Sequence, residues 1–312
     1  MRLFDDPSDL RVMQELVQRT WSLRSRCHIG DLAWERGMVV RQERRWPTAI
    51  WEADGRTAAW SWVMLPDDPE NDEAEWLLCV DPVHPRAEQI ADEVIAWSIG
   101  AAGQHRLATM ILGTETHLAA GLSRHGFVAS EDGPFFGYHR MSLSALPDLR
   151  LPAGYVARPV RGVGDIEARV RSHAVAWSEF GASSLTAAGY RQLMAASPYR
   201  ADLDWVIEAP DGTWPANCLL WYDDVHRVVE LEPVGTDPAY RRLGLATAVC
   251  VAALRAARDA GATTAIVYPR GDDAYPSARA LYRSIGFTPY ARTVTWRAAS
   301  NAFASPRRLA TE

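Results

Sequence analysis

The chain has 312 residues, of which 48% are hydrophobic and 23% are charged, and this globular composition excludes a mainly disordered protein. At about 150 residues to a domain, the length predicts roughly two domains. The 33 Arg and Lys residues are outnumbered by 39 Asp and Glu residues. The net charge of −6 therefore offers no electrostatic basis for binding nucleic acid.

The first residues and the cysteines indicate the compartment. The sequence begins MRLFDDPSDL, which is acidic where a secretory signal would be basic and then apolar. It contains no stretch of about 20 apolar residues that could span a bilayer, and its four cysteines form no Cys-x-x-Cys pair. We expect reduced thiols, no metal site and a cytoplasmic protein that does not bind membranes. All basic residues are Arg, which is typical of a GC-rich bacterial genome.

The first half of the sequence contains a strand pattern at 75–80 and an amphipathic helix pattern at 90–97. A second, short helix pattern ends at Gly126-Phe127 and continues as a strand. Two prolines and several turn formers at 145–152 then predict a linker between two domains.

The second half repeats this order and again ends a short helix with a Gly-Phe pair, at Gly286-Phe287. In chain order we predict a strand at 154–160, helices at 164–179 and 185–196, strands at 203–209, 215–222 and 227–234, a long helix at 242–260, a strand at 263–268, a helix at 276–285 and strands at 287–297. The sequence therefore predicts an α+β protein made of two copies of one unit, 1–145 and 151–298, followed by a loose tail at 300–312.

The turn between the strand at 227–234 and the long helix carries the strongest chemical signal. Arg241, Gly244 and Ala246 lie around this turn, and small residues there let backbone N–H groups approach a ligand closely. The start of a helix presents unpaired N–H donors and a partial positive charge. The turn therefore predicts an anion site suited to a pyrophosphate.

Arg241-x-x-Gly244-x-Ala246 matches the R/Q-x-x-G-x-G/A signature of the GCN5-related N-acetyltransferase (GNAT) superfamily. Downstream, the spacing A-x-x-L-Y-x-x-x-G-F at 278–287 resembles a later helix of that family. The resemblance covers 150–298, with a faint copy at 1–145. It implies two tandem units, each a mixed, mostly antiparallel sheet flanked by helices, of which the second binds acetyl-CoA.

The resemblance also implies roles for individual residues of the second unit. Backbone groups on the strand would pair with the pantetheine arm of acetyl-CoA as if adding a strand, and the turn would hold its pyrophosphate. At Tyr275 the family often has Asn, so this side of the site departs from the pattern. The implied cofactor-binding residues are Val234, Thr236, Arg241, Arg242, Leu243, Gly244, Leu245, Ala246, Thr247 and Tyr275.

Tyr282 would stand near the thioester sulfur as the general acid for the leaving thiolate. Glu230 matches a carboxylate base used by some members, and Glu232 shares its strand parity, so either could be the base or an ordinary carboxylate. A base is needed because an amine with a pKa of about 10.4 is mostly protonated at neutral pH.

The first half lacks the residues that this chemistry needs. In the aligned positions, Gln89 replaces the permissive glycine, Glu88 adds a carboxylate where pyrophosphate would lie, and Leu122 replaces Tyr282. We therefore interpret the first half as a degenerate copy that does not bind the cofactor and helps to shape the acceptor pocket.

The function predicted from the sequence is an acyltransferase that moves the acetyl group of acetyl-CoA directly to the amine of a small molecule in a ternary complex. Two enzymatic alternatives are acetylation of a protein lysine or N-terminus and a mycothiol-synthase-like reaction. An alternative of another class is a non-catalytic acyl-CoA-binding or scaffolding protein. The sequence leaves the acceptor, the acyl chain length and the oligomeric state open.

Overall fold

The computed structural model describes residues 1–38, 46–68, 70–131, 133–273 and 275–299, and the predicted tail at 300–312 lies outside them. The strands are β1 (Arg2–Leu3), β2 (Thr48–Ala53), β3 (Arg56–Met64), β4 (Glu73–Val80), β5 (Arg106–Leu112), β6 (Phe127–Ser130), β7 (Gly137–Ser142), β8 (Val156–Pro159), β9 (Asp204–Glu208), β10 (Ala216–Asp223), β11 (Val228–Thr236), β12 (Thr264–Val267) and β13 (Thr288–Ala298). The helices are α1 (Asp9–Thr20), α2 (Ile29–Met38), α3 (Ala87–Ala102), α4 (Thr116–Arg124), α5 (Ile166–Ala176), α6 (Ala187–Ala195), α7 (Leu245–Asp259) and α8 (Pro276–Ile285).

The described residues form two compact units. The first lies within 1–4, 45–134 and 293–312, and the second within 5–44 and 135–292. These units differ from the predicted division near 145–151 in three segments, of which one is 135–145, because β7 pairs with β12 of the second unit. Residues 5–38 belong to the second unit, because α1 packs on α2 and α2 packs on β10 and α6. The second part of β13 belongs to the first unit, because it pairs with β5 and β6.

The first unit is a mixed sheet with two helices. Its strand order is β1-β2-β3-β4-β5 followed by the second part of β13, which also pairs with β6. Only the β4–β5 pair is parallel among the described strands of this unit. Ile90, Val94 and Leu122 of α3 and α4 are buried in one apolar core with strand residues such as Trp76.

The second unit is a seven-membered run of strands in the order β13-β7-β12-β11-β10-β9-β8, in which the first part of β13 takes part. Here the β11–β12 pair is parallel and the other described pairs are antiparallel. Each unit is thus a mixed, mostly antiparallel sheet with helices, and the predicted α+β fold is confirmed. None of the described helices is long and apolar enough to cross a bilayer.

Helices cover both faces of the second sheet. Val229 and Leu231 of β11 share a buried core with α7 residues such as Val249. On β10, Leu219 and Trp221 instead share a core with residues of α2, α5 and α6. Because side chains alternate along a strand, Glu230 and Glu232 leave the α7 face of the sheet and point toward α2.

Gly30 allows α2 to lie close to the sheet, and Gly189 allows α6 to lie close to α2. A Cβ atom at Gly30 would lie 2.3 Å from Cγ of Trp221, and one at Gly189 on α6 would lie 2.4 Å from the carbonyl oxygen of Gly37. Contacts this short exclude any side chain at either position. The close approach brings the polar residues of α2 within reach of β11.

Candidate active site

β11 is paired on both sides only at its start. Val228, Val229 and Glu230 pair with β12, whereas the strand continues to Thr236 paired only with β10 among the described strands. The register with β10 shifts so that two residues, Glu232 and Pro233, lie opposite the single residue Leu219. This β-bulge changes the direction of β11. The unpaired edge of β11 beyond Glu230 can accept an extended ligand as an added strand.

The indole of Trp221 supports the bulge. Its Nε1 donates a hydrogen bond of 2.6 Å to the carbonyl oxygen of Glu232. The next residue is Pro233, which has no backbone N–H and so fits a position where β11 makes no hydrogen bond to the neighbouring strand. Further along, Thr236 has a buried hydroxyl with no hydrogen-bond partner among the described residues. Val234 and Thr236 thus lie on the part of β11 that the sequence assigns to the pantetheine arm.

The loop after β11 has the geometry of an anion site. Arg242 and Gly244 have positive φ angles of 67° and 79°, and Gly244 is the residue that precedes α7. The first helical hydrogen bond runs from the N–H of Ala248 to the carbonyl oxygen of Gly244 at 3.0 Å. The N–H groups of 245–247 therefore precede the hydrogen-bonded part of the helix. A Cβ atom at Gly244 would meet no atom within 4 Å, so the loop borders open space.

Arg241 has a carboxylate partner beside this loop. Its Nη2 lies 2.7 Å from Oε2 of Glu179, in the short turn after α5. The hydrogen bond to Glu179 is the main cause that raises the pKa of Arg241.

The ring of Phe180 packs edge-on against Tyr275, with centroids 5.0 Å apart. Tyr275 immediately precedes α8, on the side of the loop where the sequence places it.

The two candidate base residues differ in their access to solvent. Glu230 is 1% exposed, and its Oε2 lies 3.0 Å from Nδ1 of His28. Glu232 keeps part of its surface open to solvent. Asp31 of α2 completes the group, since it accepts a hydrogen bond from the backbone N–H of His28 at 2.7 Å and shares a hydrogen bond with Glu230.

Burial makes these carboxyl groups hard to ionise. It raises the pKa of Glu230 to about 8, with Glu232 and Glu35 adding repulsion. Burial likewise raises the pKa of Glu232 to about 8, with repulsion from Asp31 and Glu35. The pKa of Asp31 also rises well above its usual value, first by burial and then by the nearby charge of Glu230. These values place protonated and ionised carboxyls together near neutral pH.

The contact between His28 and Glu230 is a hydrogen bond rather than an ion pair. Burial lowers the pKa of His28 to about 4, so its ring is neutral near pH 7. The backbone N–H of Gly30 approaches the same Nδ1 at 3.2 Å. Since Glu230 also keeps its proton near pH 7, the pair is held without a net charge.

We expect Glu230→Gln to stabilise the folded protein above about pH 6.5, relative to the unchanged chain. The raised pKa means that the folded state keeps a proton that the unfolded state loses, so stability falls as pH rises from the ordinary value of 4.5 to about 8. One such proton changes the free energy of unfolding by at most about 1.4 kcal/mol per pH unit. Chemical denaturation at pH 6.5 and 8.5 measures this slope, and equal slopes for both proteins would contradict the raised pKa. The lowered pKa of His28 acts mainly below pH 6.5, and His28 is present in both proteins, so the comparison of their slopes reports on Glu230.

Tyr282 lies on α8 in the core beneath the site. It is 6% exposed and packs edge-on against Phe287 at a centroid distance of 5.7 Å. Burial raises its pKa well above the ordinary value, followed by the influence of Cys250 and Glu232. The hydroxyl therefore keeps its proton throughout the neutral range, which a proton donor requires.

The structure places Glu230 and Glu232 on the face of β11 toward α2, residues 241–247 in the loop and the start of α7, and Tyr282 in the core shared with α7, where it feels the charge of Glu232. It also adds three residues that the sequence analysis missed: His28, Asp31 and Glu35. Asp31 and Glu35 are four residues apart on α2 and so share one helix face. Among the described residues, no group of three or more His, Cys, Asp or Glu side chains is arranged to hold a metal ion.

Comparison with known proteins identifies the domain that contains this site. Residues 188–287 match the model described as the Acetyltransferase (GNAT) family. No curated protein sequence matches the chain. The matched segment includes β11, the loop, α7 and α8, the elements on which the sequence resemblance rests.

Three solved structures share the fold over nearly the whole chain. A GCN5-related N-acetyltransferase from Sphaerobacter thermophilus has a TM-score of 0.60 at 16% identity and covers 95% of this chain and 94% of its own. A tandem GNAT protein from the clavulanic acid biosynthesis pathway has a TM-score of 0.60 at 14% identity, with coverage of 98% and 99%. A GNAT-family acetyltransferase from Colwellia psychrerythraea has a TM-score of 0.60 at 14% identity, with coverage of 96% and 99%. These similarities confirm the fold.

Proposed function

Because its second half carries an acetyltransferase domain, the chain belongs to the GNAT acyltransferases, and we propose that it transfers the acetyl group of acetyl-CoA to the amine of a small molecule. Transfer is direct, in a ternary complex of protein, acetyl-CoA and acceptor. The observation that carries the proposal is one continuous stretch, in which carboxyls of raised pKa on β11 are followed by a bulge and by a loop with positive φ angles at the start of α7.

Acetyl-CoA binds along the unpaired edge of β11 and at the loop. Backbone groups of Val234 and Thr236 hydrogen-bond the pantetheine arm, and the N–H groups of 241–247 hold the pyrophosphate. Two features support this placement: the open space around Gly244 and the unpartnered hydroxyl of Thr236. Glu179 must release Arg241 if that guanidinium is to join the pyrophosphate.

Of the two candidate bases on β11, Glu232 acts as the general base because part of its surface is exposed, whereas Glu230 is 1% exposed. A pKa of about 8 lets it take a proton from the acceptor ammonium near the operating pH. The amine nitrogen then attacks the thioester carbonyl carbon, and the C–S bond breaks as the acyl group moves to nitrogen. Tyr282 donates its proton to the leaving thiolate, and the acylated nitrogen loses its extra proton, which restores the phenol. Glu230 is 1% exposed and hydrogen-bonded to His28, so its role is to hold His28 and α2 in place beside β11.

The first unit has no working cofactor site in this proposal. At the position matched to the loop, α3 begins at Ala87 with Arg86 before it, and Gln89 hydrogen-bonds Glu93 on its own helix. Leu122, matched to Tyr282, is fully buried in the apolar core. A pyrophosphate there would meet a side chain rather than a glycine, and no phenol would stand ready to protonate a thiolate.

Calorimetric titration with acetyl-CoA and with CoA tests the proposal. We expect one site per chain and release of free thiol when a panel of small amines is added. Two sites would contradict a degenerate first unit. Tight binding without turnover on any small amine would favour a non-catalytic acyl-CoA-binding protein, whereas turnover on a peptide lysine or N-terminus alone would favour a protein acetyltransferase. Thiol release only with a mycothiol precursor would favour the mycothiol-synthase-like reaction. A cytoplasmic location stays a prediction from the sequence.

We expect Tyr282→Phe to lower turnover by about 10- to 100-fold and to leave the Kd for acetyl-CoA nearly unchanged, because the phenol acts on the thiolate only as the C–S bond breaks. The ring, which packs on Phe287, is kept in this variant. Steady-state kinetics together with calorimetry separates the two effects. Unchanged turnover would make Tyr282 a packing residue only.

A further inference from the structure

A short turn follows α5 and reaches the loop before α7. Residues 178–180 form this turn, which we call the strap, and all three are exposed. The hydrogen bonds within it run back to Val175 and Trp177, at the end of α5. The strap ends at Gly181, whose φ angle of 112° is one that glycine adopts freely. It is thus a surface segment with a glycine at its far end.

The residue before the strap is fixed in place. The ring of Trp177 lies 4.2 Å from that of His173 on α5, centroid to centroid. A Cβ atom at Gly235 would lie 2.2 Å from Cζ3 of Trp177, so the indole packs directly on the backbone of β11. Gly235 lies between Val234 and Thr236, the residues proposed to pair with the pantetheine arm. The strap therefore begins directly beside that part of β11.

Two neighbouring residues of the strap contact opposite sides of the opening between β11 and β12. These strands pair only at the start of β11; beyond that point the loop before α7 follows β11, whereas Tyr275 follows β12 and precedes α8. Glu179 lies 2.7 Å from Arg241 of the loop, and the ring of Phe180 packs on Tyr275 with centroids 5.0 Å apart. The strap thus spans the opening in which the proposed function places the pantetheine arm.

Both contacts of the strap are weak enough to exchange. The side chains of Arg241 and Glu179 are 34% and 48% exposed, and Phe180 is 59% exposed. An exposed ion pair contributes little to stability, because water solvates both charges when they separate. A pyrophosphate carries more negative charge than one carboxylate and accepts several hydrogen bonds, so it competes effectively for the same guanidinium.

We propose that the strap is a gate on the cofactor site, held closed by Glu179 and opened by the pyrophosphate of acetyl-CoA, which takes Arg241 from it. This inference rests on the proposed function and adds to it a step of cofactor entry. Glu179 then makes no contact that holds the cofactor, because its carboxylate competes with the pyrophosphate for Arg241. Removing this competitor should tighten the binding of acetyl-CoA, which is the opposite of what removing a binding residue does.

Calorimetric titration of Glu179→Gln with acetyl-CoA tests the gate. We expect Kd to fall about threefold, the size of one exposed ion pair. Stopped-flow measurements should show that the association rate rises, because the site opens more often. Phe180→Ala removes the other contact of the strap and should also raise the association rate. Circular dichroism confirms that both variants are folded.

Two controls separate the gate from a general effect of charge. Glu167→Gln removes an exposed carboxylate at the start of α5 and should leave Kd unchanged at about 0.15 M salt, where separated charges are screened. In a protein that carries Arg241→Gln, adding Glu179→Gln should no longer tighten binding, because the pair that it breaks is already absent. As a readout that needs no ligand, amide hydrogen exchange at 178–181 should be faster in Glu179→Gln than in the unchanged protein.

The outcomes distinguish the gate from the proposed function. An unchanged or higher Kd in Glu179→Gln, with acetyl-CoA bound by both proteins, would overturn the gate and leave the acetyltransferase standing. Equal tightening by Glu167→Gln, or by Glu179→Gln when Arg241 is already replaced, would make it a charge effect, which also overturns the gate. Equal amide exchange in the two proteins would contradict the ion pair as what holds the strap closed. If the unchanged protein does not bind acetyl-CoA, the proposed function fails first, and the gate fails with it.

Discussion

Gly244→Asp abolishes the binding of acetyl-CoA: we expect Kd to rise at least about 100-fold, or about 2.7 kcal/mol. Gly244 has a φ angle of 79° and directly precedes α7, where unpaired N–H groups attract an anion. Asp tolerates this backbone conformation better than most residues, so strain is the smaller effect. The main effect is a new carboxylate that competes for the same N–H donors and repels the pyrophosphate. Calorimetric titration of the variant with acetyl-CoA measures the loss.

Gly55→Asp is the control for this experiment. Gly55 has a nearly identical φ of 78°, and a Cβ atom there would also meet nothing within 4 Å. It lies in the turn between β2 and β3, in the first unit. A loss of binding in Gly244→Asp but not in Gly55→Asp assigns the effect to the loop. Normal binding in Gly244→Asp would place the pyrophosphate elsewhere.

Glu232→Gln should lower kcat/KM by about 100-fold or more at pH 8, the usual contribution of a general base. In the unchanged protein kcat/KM should rise with pH as the Glu232 carboxyl ionises, since burial raises its pKa to about 8. Gln has no such ionisation, so the variant should show only the rise that belongs to the acceptor amine. pH profiles of kcat/KM for both proteins measure the difference.

Two further variants decide whether this loss belongs to Glu232. Glu167→Gln removes an exposed carboxylate at the start of α5 and should leave the pH profile unchanged. Glu230→Gln should retain most of the turnover, because Glu230 is enclosed and bonded to His28. If Glu230→Gln loses the alkaline rise and Glu232→Gln keeps it, the base is Glu230.

The elements of the second unit follow closely from local sequence. The predicted helix at 276–285 matches α8, because Pro276 and Gly286 bound an amphipathic run. The predicted helix at 242–260 begins three residues later in the structure, at Leu245. Its apolar pattern extends over Leu243, but the left-handed backbone at Arg242 and Gly244 makes those residues a loop.

The acidic side of the site could be predicted only in part. Glu230 and Glu232 were found because their spacing to the loop is local and a known motif follows them. His28, Asp31 and Glu35 carry no such signal, since His28 meets Glu230 across 202 residues of sequence. The register shift at Glu232 and Pro233 depends on how β10 pairs with β11, which no local pattern encodes.

Because α2 lies beside β11, the residues of the candidate site come from two distant parts of the sequence. His28 and Asp31, which lie beside Glu230, come from the first 38 residues, whereas the loop before α7 begins at Arg241. An exchange of only the first 38 residues would change the side chains beside Glu230 and leave the loop before α7 intact. Conversely, expressing residues 150–299 alone would remove His28 and Asp31 from beside Glu230 and expose a buried carboxyl to water. The surroundings of Glu230 therefore depend on residues about 200 positions upstream of it in the sequence.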